Sequence, residues 1–301
     1  MSIEVLAKSL LELVRPDAPV ERIATGFTFT EGPLWHPREQ ALYFSDMPAD
    51  VRRRWQAVDG VREVRKPSNK CNGMTFDGVL NLYVCEHWTS RLVRENADGT
   101  RDVLASHFEG RELNSPNDVV VKSDGAVYFS DPTYGRMPVF GNERAQALDF
   151  QGVYRIDPRS GELHCLARDF AQPNGLCFSP DESKLYVNDS ERVHIRVFEV
   201  APDGRLGNER LFAEHIGSGR LEDGIPDGMK CDERGNVYVT GPRGIWVLAP
   251  DGTHLGVIGM PEHAGNLNWG GSDWRDLYCA CSTSIYRVRL EVGGNRLAYM
   301  R

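Results

Sequence analysis

Aliphatic and aromatic residues fall along this chain in short alternating runs rather than in long helical faces. One run recurs six times: an aliphatic residue, a tyrosine and an alternating tail. It reads LYFSD (42–46), LYVCE (82–86), VYFSD (127–131), LYVND (185–189), VYVTG (237–241) and LYCAC (277–281). Alternation with period 2 predicts a strand with two unlike faces. The tyrosines, 43, 83, 128, 186, 238 and 278, are 40, 45, 58, 52 and 40 residues apart. A second β-like run follows each copy and ends in a glycine turn, at Asp59-Gly60, Asp98-Gly99, Ser160-Gly161, Asp203-Gly204, Asp251-Gly252 and Gly293-Gly294. Glycine tolerates positive φ, so such pairs mark tight hairpins. A period of about 40–50 residues holding several short strands is the signature of a β-propeller. The expected fold is all-β, a six-bladed β-propeller. The third interval is stretched, so Pro132 to Gln151 is expected to form a long inserted loop, the kind of segment that often carries function.

The first residues depart from this pattern. Ile3, Leu6, Leu10 and Leu13 recur at helical spacing and Pro16 ends the run, which predicts a short N-terminal helix, Ile3 to Val14. The expected organisation is a helical extension over 1–19 and a propeller over 20–301. The segment from Val20 to Phe29 is a candidate strand for the last blade, closing the ring and removing an edge.

Composition narrows the partners. Lys+Arg number 35 and Asp+Glu 43, a net charge of −8, whereas nucleic-acid binders carry a basic footprint. No apolar run has the length that spans a bilayer, and Met1 to Val14 has no signal-peptide layout. Seven cysteines lie scattered without paired metal spacing, and Cys279 and Cys281 share one strand face, as core residues do. A reduced, cytoplasmic protein, monomer or homodimer, free of nucleic-acid and membrane partners, is expected.

Eleven or twelve positions before each tyrosine stands a carboxylate or amide: Glu31, Asn72, Asn117, Asn174, Asp227 and Asn266. Each precedes an apolar run assigned to the innermost strand of its blade, so the six converge on one channel. Asn, Asp and Gly also make ordinary turns between blades, an equally good account of Asn72 and Asn266. A turn does not require Glu31. Two carboxylates among amides form an oxygen-only set of formal charge −2, suited to Ca²⁺ or another hard divalent cation. Without His or Cys in the ring, zinc is a poorer choice. Antiparallel pairing brings the ends of the tyrosine strands to the same mouth: Asp46, Glu86-His87, Asp131, Asp189, Gly241 and Ser282. His87 is the histidine best placed for proton transfer or substrate binding, although an exposed loop histidine fits the sequence as well.

Five stretches carry a resemblance: Glu31-Gly32-Pro33; Asn114-Ser115-Pro116-Asn117-Asp118; Ser130-Asp131-Pro132-Thr133-Tyr134-Gly135; Pro173-Asn174-Gly175-Leu176 with Ser179-Pro180-Asp181; and Pro226-Asp227-Gly228-Met229. In order and spacing, from about Phe29 to Leu290, the chain resembles the gluconolactonase branch of the superfamily of regucalcin (senescence marker protein) and luciferin-regenerating enzyme. The resemblance implies a divalent metal, most often Ca²⁺ with Mg²⁺, Mn²⁺ or Zn²⁺ as alternatives, held by Glu31, Asn117, Asn174 and Asp227. It also implies that Asp227 is the acid/base residue. The implied reaction is hydrolysis of a sugar-acid lactone, with Asn72, His87, Asp131, Tyr134 and Asn266 as candidate substrate-binding groups. Ser115 stands where the animal branch has arginine. The rival readings are a phosphotriesterase or fluorophosphatase-like hydrolase and a non-catalytic calcium-binding propeller.

Overall fold

A computed structural model describes residues 3–300. Six antiparallel sheets stand around a central channel, as the repeat predicts. From the channel outwards, blade one is Thr30–His36, Ala41–Asp46, Val51–Gln56 and Gly60–Arg65. Blade two is Cys71–Phe76, Leu82–Glu86, Arg91–Glu95 and Arg101–Ala105; blade three is Val119–Val121, Val127–Asp131, Gln151–Ile156 and Leu163–Phe170. Blade four is Pro173–Phe178, Lys184–Asp189, His194–Val200 and Leu206–Ala213. Blade five is Met229–Cys231, Val237–Gly241, Gly244–Leu248 and His254–Gly259, and blade six is Ala264–Gly270, Asp276–Cys281 and Ser284–Arg289. Each innermost strand touches that of the next blade, and blade six returns to blade one.

The recurring tyrosine has a packing reason. It occupies the second strand and in four blades meets an aromatic residue on the innermost strand of the following blade. Tyr128 sits edge-on to Phe178 at 5.0 Å, Tyr238 to Trp269 at 4.8 Å and Tyr43 to Phe76 at 6.4 Å. Tyr278 stacks on Trp35 at 5.2 Å, joining blade six to blade one. Such pairs contribute about 0.5–1.5 kcal/mol beyond the area they bury. Register between blades is therefore written into one residue in four of the six repeats.

Closure comes from the N-terminal segment. Val20–Thr25 pairs antiparallel with Ser284–Arg289, Val20 opposite Val288 and Thr25 opposite Ser284, and completes blade six. Before it, the expected helix is corrected. Ile3–Val5 is a strand on the outer edge of blade five, Ile3 opposite Ile258, and Lys8–Glu12 forms a single 3₁₀ segment. A run this short cannot repay helix nucleation, whereas the open blade edge offers ready backbone partners. The apolar spacing still has its use, since Leu10, Leu13 and Val14 are buried in the core.

The far end of the channel is closed by the C-terminal stretch. Asn295 Nδ2 donates to the Phe178 carbonyl at 3.3 Å, and Asn295 N–H donates to that of Cys231 at 2.9 Å. Tyr299 is buried against Phe76 and Trp274. The channel is thus a blind cavity open at one mouth. Among the described residues no helix is long and apolar enough to cross a membrane, and all seven cysteines are free thiols.

Candidate active site

The ring residues sit where the innermost strands break register. Pairing shifts between Glu31 and Leu34, Cys71 and Met74, Pro173 and Leu176, and Ala264 and Asn266. A bulge bends its strand and re-aims the side chain. In blades three and five the strand begins only after Asn117 and Asp227. Backbone bonds stitch neighbouring blades at this level: Gly73 N–H to Asn117 O at 2.8 Å, and Gly175 N–H to Asp227 O at 3.1 Å. A Cβ on Gly73 or Gly175 would lie 2.5 Å or 2.2 Å from those carbonyl oxygens, so only glycine permits the approach.

A cavity of about 280 Å³ opens at this end, just under the size typical of small-molecule sites. Glu31, Asn72, Asn117, Asn174 and Asp227 line it, with His87 and Tyr134. Glu31 is 3% exposed; its Oε2 accepts Gly32 N–H at 2.8 Å and Asn266 Nδ2 at 3.0 Å. Asn174 Nδ2 donates to Ser190 Oγ at 3.0 Å, which turns its Oδ1 away, buried and without a partner. Burial pushes the Glu31 carboxyl up to about 7, against the backbone and Asn266 hydrogen bonds. Burial, then the nearby Glu31 and Asp118, raises Asp227 well above the ordinary carboxylate range. Below them Lys230 Nζ reaches Asp118 Oδ2 at 3.5 Å, bridging blades three and five.

His87 is buried, and its ring nitrogens lie 3.1 Å from the Phe140 carbonyl and 3.1 Å from Asn72 Nδ2. A carbonyl only accepts, so Nδ1 carries the proton and Nε2 receives the Asn72 amide hydrogen. Asn72 Oδ1 is then left buried and unpartnered. Burial lowers His87 to about 4, keeping it neutral. Burial likewise raises the Tyr134 hydroxyl, which stays protonated.

Two sequence-predicted site residues do not reach the cavity. Asp131 is 0% exposed, and its two oxygens accept Asn114 N–H at 2.8 Å and Ser115 N–H at 2.7 Å. It is a clamp, not a substrate contact. Asp189 does the same for Ala171 and Gln172, at 2.8 and 3.1 Å, and Asp46 accepts the Thr28 and Phe29 N–H groups on one oxygen, Oδ1, at 2.9 and 3.4 Å. In these three blades the clamped amides lie three and two residues before the ring residue, so the strand-end carboxylate fixes where that residue starts. Asn266 has both ends of its amide engaged, by Glu31 and by Leu267 N–H at 2.8 Å, and positions Glu31 rather than facing the cavity.

The inserted loop folds over the mouth. Arg136, 7% exposed, donates to the Asn114 carbonyl at 3.0 Å, the Leu113 carbonyl at 2.7 Å, Glu112 at 3.0 Å and the Ala145 carbonyl. Ser115 Oγ donates to the Pro132 carbonyl at 2.5 Å and accepts Gly135 N–H at 2.9 Å, fastening the loop's first turn. Phe140 then packs edge-on to Phe29 of blade one at 5.7 Å. Phe29, Met47, Met137, Leu221, Ile225 and His263 also line the cavity. Phe29 and Ile225 stand two residues before Glu31 and Asp227, so counting back two from the ring finds them in the sequence. Leu221 opens one short 3₁₀ turn and Met137 follows another, both between blade strands, and neither left a periodic trace.

A six-bladed ring with a convergent carboxylate–amide floor defines a propeller of enzymatic rather than scaffold type. Residues 29–283 match the SMP-30/Gluconolactonase/LRE-like region, and the chain belongs to that family. It is 32% identical to the gluconolactonase of Zymomonas mobilis over 92% of this chain and 82% of that one. It is 30% identical to a 6-deoxy-6-sulfogluconolactonase of Pseudomonas putida, over 84% and 82% respectively. The solved structure of a gluconolactonase of Xanthomonas campestris is similar with a TM-score of 0.87 and 30% identity, covering 96% of this chain and 95% of that one.

Proposed function

We propose that the protein is a lactonase, opening the ring ester of a lactone in this cavity, with Glu31, Asn117, Asn174 and Asp227 as the donors for a divalent cation. Two similar proteins of known activity cleave sugar-acid lactones. The observation that carries the reading is the cavity floor: the buried Glu31 carboxylate and the part-buried Asp227 carboxylate beside Asn174 Oδ1, a buried oxygen with no partner. A buried polar atom in that state costs about 1–3 kcal/mol unless something binds it, and paired carboxylates need an opposite charge. Among the described residues no three His, Cys, Asp or Glu side chains cluster as a metal would need, so the set is a mixed carboxylate–amide one. Such donors favour Ca²⁺ over softer ions. When bound, the cation offsets the carboxylate charge and draws electron density from the lactone carbonyl.

The side chains supply the rest. Asp227, held in a site that disfavours its charge, accepts a proton from the attacking water. Water oxygen bonds to the carbonyl carbon, the bond from that carbon to the ring oxygen breaks, and the ring oxygen takes the proton back from Asp227 to give the hydroxy acid. Asn72 Oδ1 accepts a substrate hydroxyl, while neutral His87 holds the Asn72 amide in place. Tyr134 offers a hydroxyl proton from the loop.

The test is acid release from glucono-δ-lactone followed by pH-stat, with Ca²⁺ and after chelation. Asp227→Asn should lower kcat by roughly 10²–10⁴-fold with the circular dichroism unchanged. Turnover no faster than the spontaneous rate, or full activity in that variant, would defeat the proposal.

A further inference from the structure

The cavity that holds this site has its carboxylate–amide floor at the bottom and a wall above it that is largely apolar, broken by Glu222, His263 and Ser282. Above Glu31 and Asp227 the wall is Phe29, Met47, Met137, Phe140, Leu221 and Ile225. Phe29 lies two residues before Glu31 on the mouth side, and its carbonyl accepts Met47 N–H at 3.0 Å, which sets the two side by side. Met137 is 46% and Leu221 53% exposed although both line the cavity, so a molecule seated in it would cover them. No lysine or arginine is among the lining residues, whereas Glu31, Glu222 and Asp227 are. The cations nearby are already engaged. Arg220 is paired with Glu222 and Asp223, Lys230 with Asp118, and Lys70 Nζ is 2.8 Å from the Val139 carbonyl and over the Trp88 ring.

Resting on the lactonase reading above, we infer that the preferred substrate is an uncharged lactone carrying an apolar substituent on the side of the ring away from its carbonyl. The carbonyl belongs at the polar floor, which directs the opposite side of the ring towards the mouth. There an alkyl group removes apolar surface from water at both the substituent and the wall. A sulfonate or phosphate at the same position meets the Arg220–Glu222 pair, whose charges already offset one another, and no free cation. Even with the floor carboxylates offset, nothing at the rim balances a second negative charge. Met137 and Leu221 are the specificity-determining residues, one from each of two loops that line the cavity.

The experiment uses one ring with three substituents: glucono-δ-lactone, its 6-O-butyl ether and its 6-phosphate, assayed on the purified full-length protein with Ca²⁺. The expected order in kcat/KM is butyl above parent by about tenfold or more, and phosphate below parent by at least as much. Met137→Ser and Leu221→Ser, at exposed positions, should each lower the butyl-to-parent ratio by several-fold. A butyl ether no better than the parent, a phosphate ester cleaved as well as the parent, or an unchanged ratio in both variants overturns the inference while leaving lactonase activity standing. Failure to cleave any of the three removes the lactonase reading and this one together.

Discussion

The strand-end clamp makes the sharpest prediction. In Asp131→Asn the side chain keeps its shape, but one carboxylate oxygen becomes an amide NH₂. The Asn114 and Ser115 N–H groups approach the two oxygens at 2.8 and 2.7 Å from opposite sides. Whichever way the amide turns, one donor then faces another donor in a site closed to water. A hydrogen bond to a charged group is worth about 1.5–3 kcal/mol, and a stranded buried donor adds its own desolvation cost. The expected loss is about 3 kcal/mol, roughly 6–12 °C in Tm for a chain of this size. Burial pushes Asp131 up to about 7, so the comparison belongs at pH 8, where the wild-type group is ionised and accepts both bonds. The clamped amides lead directly into Asn117, and kcat/KM should drop by about tenfold as that residue shifts. Urea denaturation monitored by fluorescence reads the stability, and the lactone assay reads the activity. A destabilisation under about 1 kcal/mol would refute the clamp, because the geometry leaves no rotamer that satisfies both donors.

Two other outcomes follow from the same site. Since burial raises Glu31 to about 7, protons compete with a cation there as pH falls through that value. Ca²⁺ affinity should weaken by up to about tenfold between pH 8 and pH 6 in calorimetric titrations and vanish in Glu31→Gln; constant affinity over that range would contradict the assignment. Arg136→Ala strips the loop of its buried anchor and leaves the Asn114 and Leu113 carbonyls without that donor, at about 2 kcal/mol. Proteolysis should then cut between residues 137 and 147 faster than in the wild type, with a raised KM for lactone, whereas equal cleavage rates would show that the loop is held by other contacts.

The blades were legible because their signal is local. A tyrosine recurs at every repeat and in four of them reaches an aromatic residue in the next blade, and a carboxylate or amide recurs where each innermost strand bulges or begins. All six ring residues from Glu31 to Asn266 were therefore visible as a set, from which the family resemblance picks out Glu31, Asn117, Asn174 and Asp227; the closing strand from Val20 was visible too. Asp131 was misread for an instructive reason. A strand-end carboxylate near the mouth can face a ligand or the backbone beside it, and spacing is the same in both cases. Only the positions of the Asn114 and Ser115 amides decide. The N-terminal helix failed for a similar reason: periodicity recorded which residues are buried, but the edge of blade five chose the backbone conformation. Met137, Phe140 and Leu221 gave no signal, because loop residues converge by folding rather than by period.

By itself, then, the sequence determined the number of blades, the closure of the ring and the chemistry of its floor, all consequences of patterns repeated at short range. Only the tertiary structure decided which of the polar groups face the cavity, which hold the backbone, and that the walls above a polar floor are largely apolar. Those choices rest on contacts between segments far apart in the chain, Phe140 against Phe29 and Asn266 against Glu31 among them. The repeat marks where each residue falls along its blade, but not which way its side chain turns or what it meets there.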